Sequence, residues 1–183
     1  MQINTNRSSG GTNMNHQPVV RRFLPSEWPI YKALRLQSLN DSPDAFGSTL
    51  DQELARTDAA WAERLQNAES SGQDCALVAE LDETPSGLVW AKVDSTDPRS
   101  INIFQMWVAP HARARGVGEA LLRAALQWAT DYGAHEARLS VTQGDTPATR
   151  LYRRVGFVEF GDIEPIRPGS VLLARKMVLS LRQ

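Results

Sequence analysis

The stretch Arg113-Ala114-Arg115-Gly116-Val117-Gly118 follows an apolar, strand-like run and opens an amphipathic helix from Val117 to about Tyr132. Backbone N–H groups at the start of a helix lack intrahelical partners and point at whatever docks there. The helix dipole adds partial positive charge, and the two arginines add full charges. Gly116 and Gly118 carry no Cβ, so the chain can turn tightly and approach a phosphate closely. The segment suits a pyrophosphate. It is neither of two better-known phosphate loops, because it lacks both a Gly-Lys-Ser/Thr ending and the three-glycine dinucleotide spacing.

Outward from this segment, the hydrophobic pattern predicts the surrounding elements. On the N-terminal side, Val19–Phe23 reads as a short strand. Ile30, Leu34 and Leu36–Leu39 give a helical stripe, broken at Asn40-Asp41-Ser42-Pro43. A second helix runs from Thr57 or Asp58 to Ala68, with Trp61 and Leu65 on one face. Cys75–Leu81 and Leu88–Val93 read as strands joined by a hairpin at Asp82–Gly87, and Ile101–Val108 as a third. On the C-terminal side, Ala137–Val141, Phe157–Phe160 and Val171–Leu179 read as strands, with a short helix over Pro147–Arg154. The order implies an α/β fold with a single mixed, mainly antiparallel sheet of about six to seven strands and about four helices.

The chain's 183 residues suit one domain, expected over 18–183 after a leader at 1–17 rich in Asn, Ser, Thr and Gly. A net charge of −1 gives no electrostatic case for nucleic acid or anionic membrane as a partner. No apolar run approaches the ~20 residues of a membrane helix. Cys75 is the single cysteine, and three histidines stand apart at 16, 111 and 135, so neither a disulfide framework nor a metal site is expected. A cytoplasmic location follows from this reading.

These residues resemble the GNAT superfamily of acyl-CoA-dependent N-acetyltransferases, in the bacterial small-molecule type. Arg113–Gly118 matches its Arg/Gln-x-x-Gly-x-Gly/Ala signature after the fourth strand. Trp107–Arg113 looks like the family's approach to that loop, and Ala148-Thr149-Arg150-Leu151-Tyr152-Arg153-Arg154-Val155-Gly156-Phe157 resembles a second signature. The resemblance spans Val19 to Leu179. It implies a sheet whose fourth and fifth strands splay apart, with acetyl-CoA as co-substrate lying in the resulting V. The backbone of Trp107 and Val108 would then pair with the pantetheine amides. Arg113, Arg115, Gly116, Val117 and Gly118 would hold the pyrophosphate. Asp145 stands where relatives commonly carry an Asn near the pantetheine; a carboxylate accepts hydrogen bonds but cannot donate as an amide does.

Tyr152 is the expected catalytic acid. Amide formation from a thioester releases a thiolate, and a phenol with an unperturbed pKa of ~10 stays protonated at neutral pH, ready to donate. No Asp or Glu lies on the strand 101–108, where several relatives keep a base; Glu53, Asp94 and His111 are candidates elsewhere. By the same resemblance, the acceptor pocket falls within 39–53 and 163–170, with Phe46 and Ser48 as wall residues and Trp90 and Gln105 as strand residues able to face it. Asp41, Asp44, Asp51 and Glu53 suggest a cationic acceptor, offset by Arg35 and Arg56. The expected activity is N-acetylation of a primary amine of a small molecule by direct attack in a ternary complex. A peptide acceptor and a non-catalytic CoA-binding regulatory domain are the alternatives. Relatives are often dimers, and the last strand, 171–179, offers an edge for a homodimer.

Overall fold

The computed structural model describes residues 17–181, so the leader expectation, apart from Gln17, lies outside the described residues. In chain order the elements are β1 (Val19–Arg22), α1 (Trp28–Asp41), α2 (Leu50–Leu54), α3 (Asp58–Ser71), β2 (Asp74–Leu81), β3 (Thr84–Val93), β4 (Ser100–Val108), α4 (Val117–Tyr132), β5 (Glu136–Thr142), α5 (Pro147–Val155), β6 (Val158–Pro165) and β7 (Leu173–Ser180). They build a seven-stranded open sheet in the order β1-β2-β3-β4-β5-β7-β6. All neighbours are antiparallel except β4 and β5.

Strands β2 and β3 are buried on both faces, and their period-two alternation divides two cores. Leu77, Ala79, Val89 and Ala91 face α4 and α5, meeting Val117, Leu121, Ala125 and Leu151. Ala76, Val78, Leu88 and Trp90 face α1 and α3, meeting Tyr31, Leu34, Trp61 and Leu65. The β2–β3 turn is tighter than expected. Asp82 and Glu83 both take positive φ (51° and 62°), the geometry of a two-residue hairpin, and Thr84–Gly87 already belongs to β3.

Two features of β4 position the site. Gln105 adopts φ of 57° at a bulge against β3, and the core-facing parity changes there. Ile101 and Ile103 pack on the α4 side before the bulge, and Met106 and Val108 do so after it. The parallel pairing of β4 with β5 runs only from Ser100–Glu136 to Ile103–Leu139, although β4 continues to Val108 and β5 to Thr142. The unpaired halves form the expected V.

The helix Leu50–Leu54 joins the four expected ones. It is too short for a readable stripe, but a capping box between Thr49 and Gln52 starts it. One expectation is corrected. β7 lies between β5 and β6, so the last strand offers no free edge; β1 and β6 are the outer strands. The reason is that β6 runs on past the expected Phe160 to Pro165 and pairs with the outer side of β7 as a hairpin. No helix among the described residues is long and apolar enough to cross a membrane.

Candidate active site

A cleft of about 1480 Å³ occupies the V between β4 and β5 and reaches from the N-terminus of α4 to the loop after α1. At the α4 mouth the backbone leaves helical geometry twice, at Ala114 (φ 58°) and Gly116 (φ 80°), before α4 starts at Val117. Gly116 stands at the N-cap position, and no side chain caps the helix there. The first-turn N–H groups therefore lack a side-chain acceptor, the condition an anion requires. A Cβ added at Gly118 would stand 3.5 Å from Leu151 Cδ2 and 3.6 Å from both Met106 Cε and Val108 Cγ2. These three residues line the cleft, so glycine keeps this wall open.

The two arginines of the loop point elsewhere. The Arg113 guanidinium donates to Asp41 Oδ2 and, through Nε, to the Val108 carbonyl at 3.0 Å. Asp41 also accepts from Trp107 Nε1 at 2.9 Å, and these bonds hold its carboxyl below the usual carboxylate range, the Trp107 bond most of all. Arg115 reaches back to Asp82 of the hairpin at 3.3 Å and does not line the cleft. Trp107, Val108, Arg113, Gly116, Val117 and Gly118 all do. Asp145 does not. Its carboxylate pairs with Arg150 at 3.0 Å beside a separate small cavity, because Arg150 follows one turn into α5 and captures it.

Tyr152 is buried on α5, edge-on to Phe157, and its hydroxyl reaches Met106 Sδ on β4 at 3.6 Å. Helix α5 thus places a phenol against the unpaired half of β4. Burial pushes its pKa up to about 12, so it stays protonated at any physiological pH.

At the opposite end, the loop after α1 forms a roof. Arg167, between β6 and β7, donates to the carbonyls of Phe46 (2.9 Å) and Pro43 (3.2 Å), and Thr142 Oγ1 donates to that of Asp44 (2.6 Å). Phe46 and Ser48 line the cleft under this roof. Gln105 lines it too, its Oε1 taken by the buried Tyr31 hydroxyl at 2.8 Å. Trp90 does not reach the cleft. Period two turns it into the α1–α3 core, where Nε1 donates to Asp74 at 2.8 Å and its ring stacks on Phe104.

The base candidates are all engaged. Glu53 is buried against Arg56 (2.7 Å) and Arg64 (3.9 Å). Asp94 lines the cleft, but bonds from Thr96 and Asn102 hold its carboxyl far below the usual range, which makes it a weak base. His111 Nε2 meets Ser86 Oγ at 3.2 Å, away from the cleft.

Arg35 and Arg64 line the cleft and were not among the expected site residues. Arg35 left a readable signal. Tyr31, Leu34, Arg35, Ser38 and Leu39 hold the buried positions of α1, so an arginine stands in the inward stripe.

A mixed sheet that splays between two parallel strands, with an uncapped helix start at the opening, is the architecture of acetyltransferases that draw on acyl-CoA. The chain belongs to the Acetyltransferase (GNAT) family, whose model matches residues 36–157. It is 28% identical over 156 residues to a mycothiol acetyltransferase of Pseudarthrobacter chlorophenolicus, covering 76% of this chain and 48% of that protein. The chain thus spans less than half the length of the curated relatives of that name. Its fold is shared with a GNAT acetyltransferase of Streptococcus pneumoniae (TM-score 0.78, 22% identity, 91% of this chain and 100% of that one). It is shared also with spermidine N-acetyltransferase of Vibrio cholerae, solved with CoA and spermine (TM-score 0.74, 20% identity, 91% and 96%). GNAT acetyltransferases use acetyl-CoA.

Proposed function

We propose that the chain is an acetyl-CoA-dependent N-acetyltransferase that acetylates a primary amine of a small molecule by direct attack in a ternary complex. The observation that carries this reading is the Tyr152 hydroxyl, a protonated phenol set against β4 in the same cleft that begins at the uncapped start of α4. The backbone of Trp107 and Val108 would bind the pantetheine arm, and Arg113, Gly116, Val117 and Gly118 the pyrophosphate. Arg115 would join them only by leaving Asp82, an exposed pair of small energetic weight.

An ammonium has no lone pair, so the acceptor must lose a proton before its nitrogen attacks the thioester carbonyl. Tyr152 would then protonate the departing thiolate. With Glu53 and Asp94 engaged, the ammonium proton would pass to bulk solvent and its buffer at the open cleft, and the amine would attack as the free base. The roof tied down by Arg167 and Thr142 favours a small acceptor over an extended chain. The names of relatives support a small amine as well, since mycothiol and spermidine are what two of them are named for.

The test is calorimetric titration with acetyl-CoA and with CoA, followed by an amine screen that reads release of free thiol. Micromolar binding with amine-dependent thiol release is the expected result. Absence of binding by both ligands would overturn the reading.

A further inference from the structure

We propose that Arg35 and Arg64 form an anion-recognition pocket at the acceptor end of the cleft, so that the acceptor is an amine that also carries a carboxylate. This rests on the acetyltransferase reading and narrows its substrate class. Arg35 is 1% exposed, yet no carboxylate among the described residues lies within ion-pair distance of it. Its Nε is buried without a hydrogen-bond partner, and Nη1 reaches only Ser38 Oγ at 3.3 Å. Arg64 has Glu53 at 3.9 Å, an ion-pair separation rather than a hydrogen bond, and Glu53 is already held by Arg56 at 2.7 Å.

Aromatic faces hold both guanidinium groups instead. The Phe46 ring lies 4.6 Å from the Arg35 centre, and the Trp90 and Tyr31 rings lie 5.0 and 5.9 Å from that of Arg64. Stacking satisfies the faces of a guanidinium and leaves its N–H edge for a ligand, whose planar carboxylate it matches. The other cations of the cleft wall are already matched: Arg113 by Asp41, Arg138 by Glu136, Arg154 by Glu119 at 3.7 Å and Lys176 by Glu164 at 2.8 Å. Asp94, the acid at this end, is saturated by Thr96 and Asn102, and Asp44 is exposed on the outer loop. Arg56 and Arg64 therefore share one carboxylate, Glu53, and Arg35 has none within ion-pair distance. That excess repels a polycation and attracts an anion, contrary to the cationic acceptor suggested by the acidic residues of 41–53.

The experiment compares the twenty free amino acids with their α-amides, alongside spermidine and O-phosphoethanolamine, by thiol release at saturating acetyl-CoA. Acetyl-CoA affinity is titrated on the same preparation. At least one amino acid should be turned over with kcat/KM at least ~10-fold above its amide. Arg64→Met should bring that ratio close to one by raising KM, with kcat and acetyl-CoA affinity held within ~3-fold, and Arg64→Lys should restore part of it. Arg64 is half-buried, so its variants test the pocket even where Arg35→Met fails to fold. Preference for an amide, for spermidine or for the phosphate-bearing amine overturns the proposal, as does a ratio that Arg64→Met leaves unchanged. Intact acetyl-CoA binding with no discrimination overturns this proposal alone, whereas absent binding overturns the transferase reading with it.

Discussion

The two ends of the cleft are built from different materials. The α4 end is made of backbone: two left-handed residues, an uncapped helix start and a glycine where a side chain would protrude. Its charged side chains are engaged elsewhere, Arg113 with Asp41 and Arg115 with Asp82. The roofed end is made of side chains from α1, α3, β4 and two loops, oriented by aromatic packing and by carbonyls that Arg167 ties down. On the proposed function, a backbone site would recognise what every acyl-CoA shares, and a side-chain site could be rebuilt for each acceptor without disturbing the first. The two ends should therefore respond to mutation independently.

Gly118 gives the largest expected effect. A leucine there would project among Met106, Val108 and Leu151 into the V. Acetyl-CoA binding should weaken by more than ~100-fold, equivalent to ~3 kcal/mol. Residue 118 lies in α4 with negative φ, so the melting temperature should move little. Calorimetry with a thermal melt separates the two effects. Retained affinity would mean that the cofactor does not pass over this helix start.

Tyr152→Phe tests the junction of the two ends. Loss of a general acid should lower kcat by ~100-fold or more while leaving acetyl-CoA affinity within ~2-fold. The wild-type kcat should also show no alkaline limb from Tyr152 below pH ~11, because burial pushes this phenol up to about 12. The same shift has a stability consequence of fixed sign. Against an unfolded value of ~10, the phenol's contribution is complete below pH ~10 and is lost as pH rises toward its folded value. Equal activity of the phenylalanine variant would move the acid elsewhere.

The contrast between the ends also explains what could be read in advance. Arg113–Gly118 is contiguous, and a helix start needs only local sequence to exist, so the uncapped start of α4 was legible together with the short helix that carries Tyr152, which sits in a second contiguous motif. The directions of Arg113 and Arg115 were not, because Asp41 and Asp82 lie 72 and 33 residues away. Trp90 was ambiguous since alternation fixes parity but not which face carries the pocket. The direction of Asp145 was hidden because its own helix supplies Arg150, which pairs with it. The roofed end brings together positions 35, 46, 64, 105 and 167; the resemblance pointed to 46, 105 and the span 163–170, whereas of the two arginines it did not name only Arg35, inside an apolar stripe, left a local signal. The outer half of β6 was hidden for a similar reason: Phe157–Phe160 reads as a strand, but the polar, exposed residues 161–165 do not until β7 pairs with Glu164 and Pro165.

Phe46→Leu should disturb only the roofed end. It keeps apolar bulk beneath Arg167 but removes the ring face over Arg35. Losing a cation–π contact of ~0.5–2 kcal/mol predicts a rise in acceptor KM of ~2- to 30-fold. Acetyl-CoA affinity should be unchanged, measured by steady-state kinetics and titration on one preparation. A matching loss of cofactor affinity would break the independence of the ends.

Asp41→Asn gives the smallest effect and bears on a charged contact that joins the two ends. Asp41 belongs to the loop side through α1, yet it holds Arg113, which in turn covers the Val108 carbonyl that the pantetheine would need. An asparagine can still accept from Trp107 Nε1, so the local packing survives while the charge that retains Arg113 is gone. The pair is partly exposed and worth at most ~1 kcal/mol, so freeing Arg113 should tighten acetyl-CoA binding by no more than ~5-fold. The wild-type carboxyl is held below its ordinary value, so it stays ionised across the neutral range. The ratio of affinities should therefore be constant from pH 6 to 8, approaching one only as pH falls below ~4. Weaker binding by the variant would reverse the assignment: Asp41 would then be aiming Arg113 at the phosphate rather than withholding it.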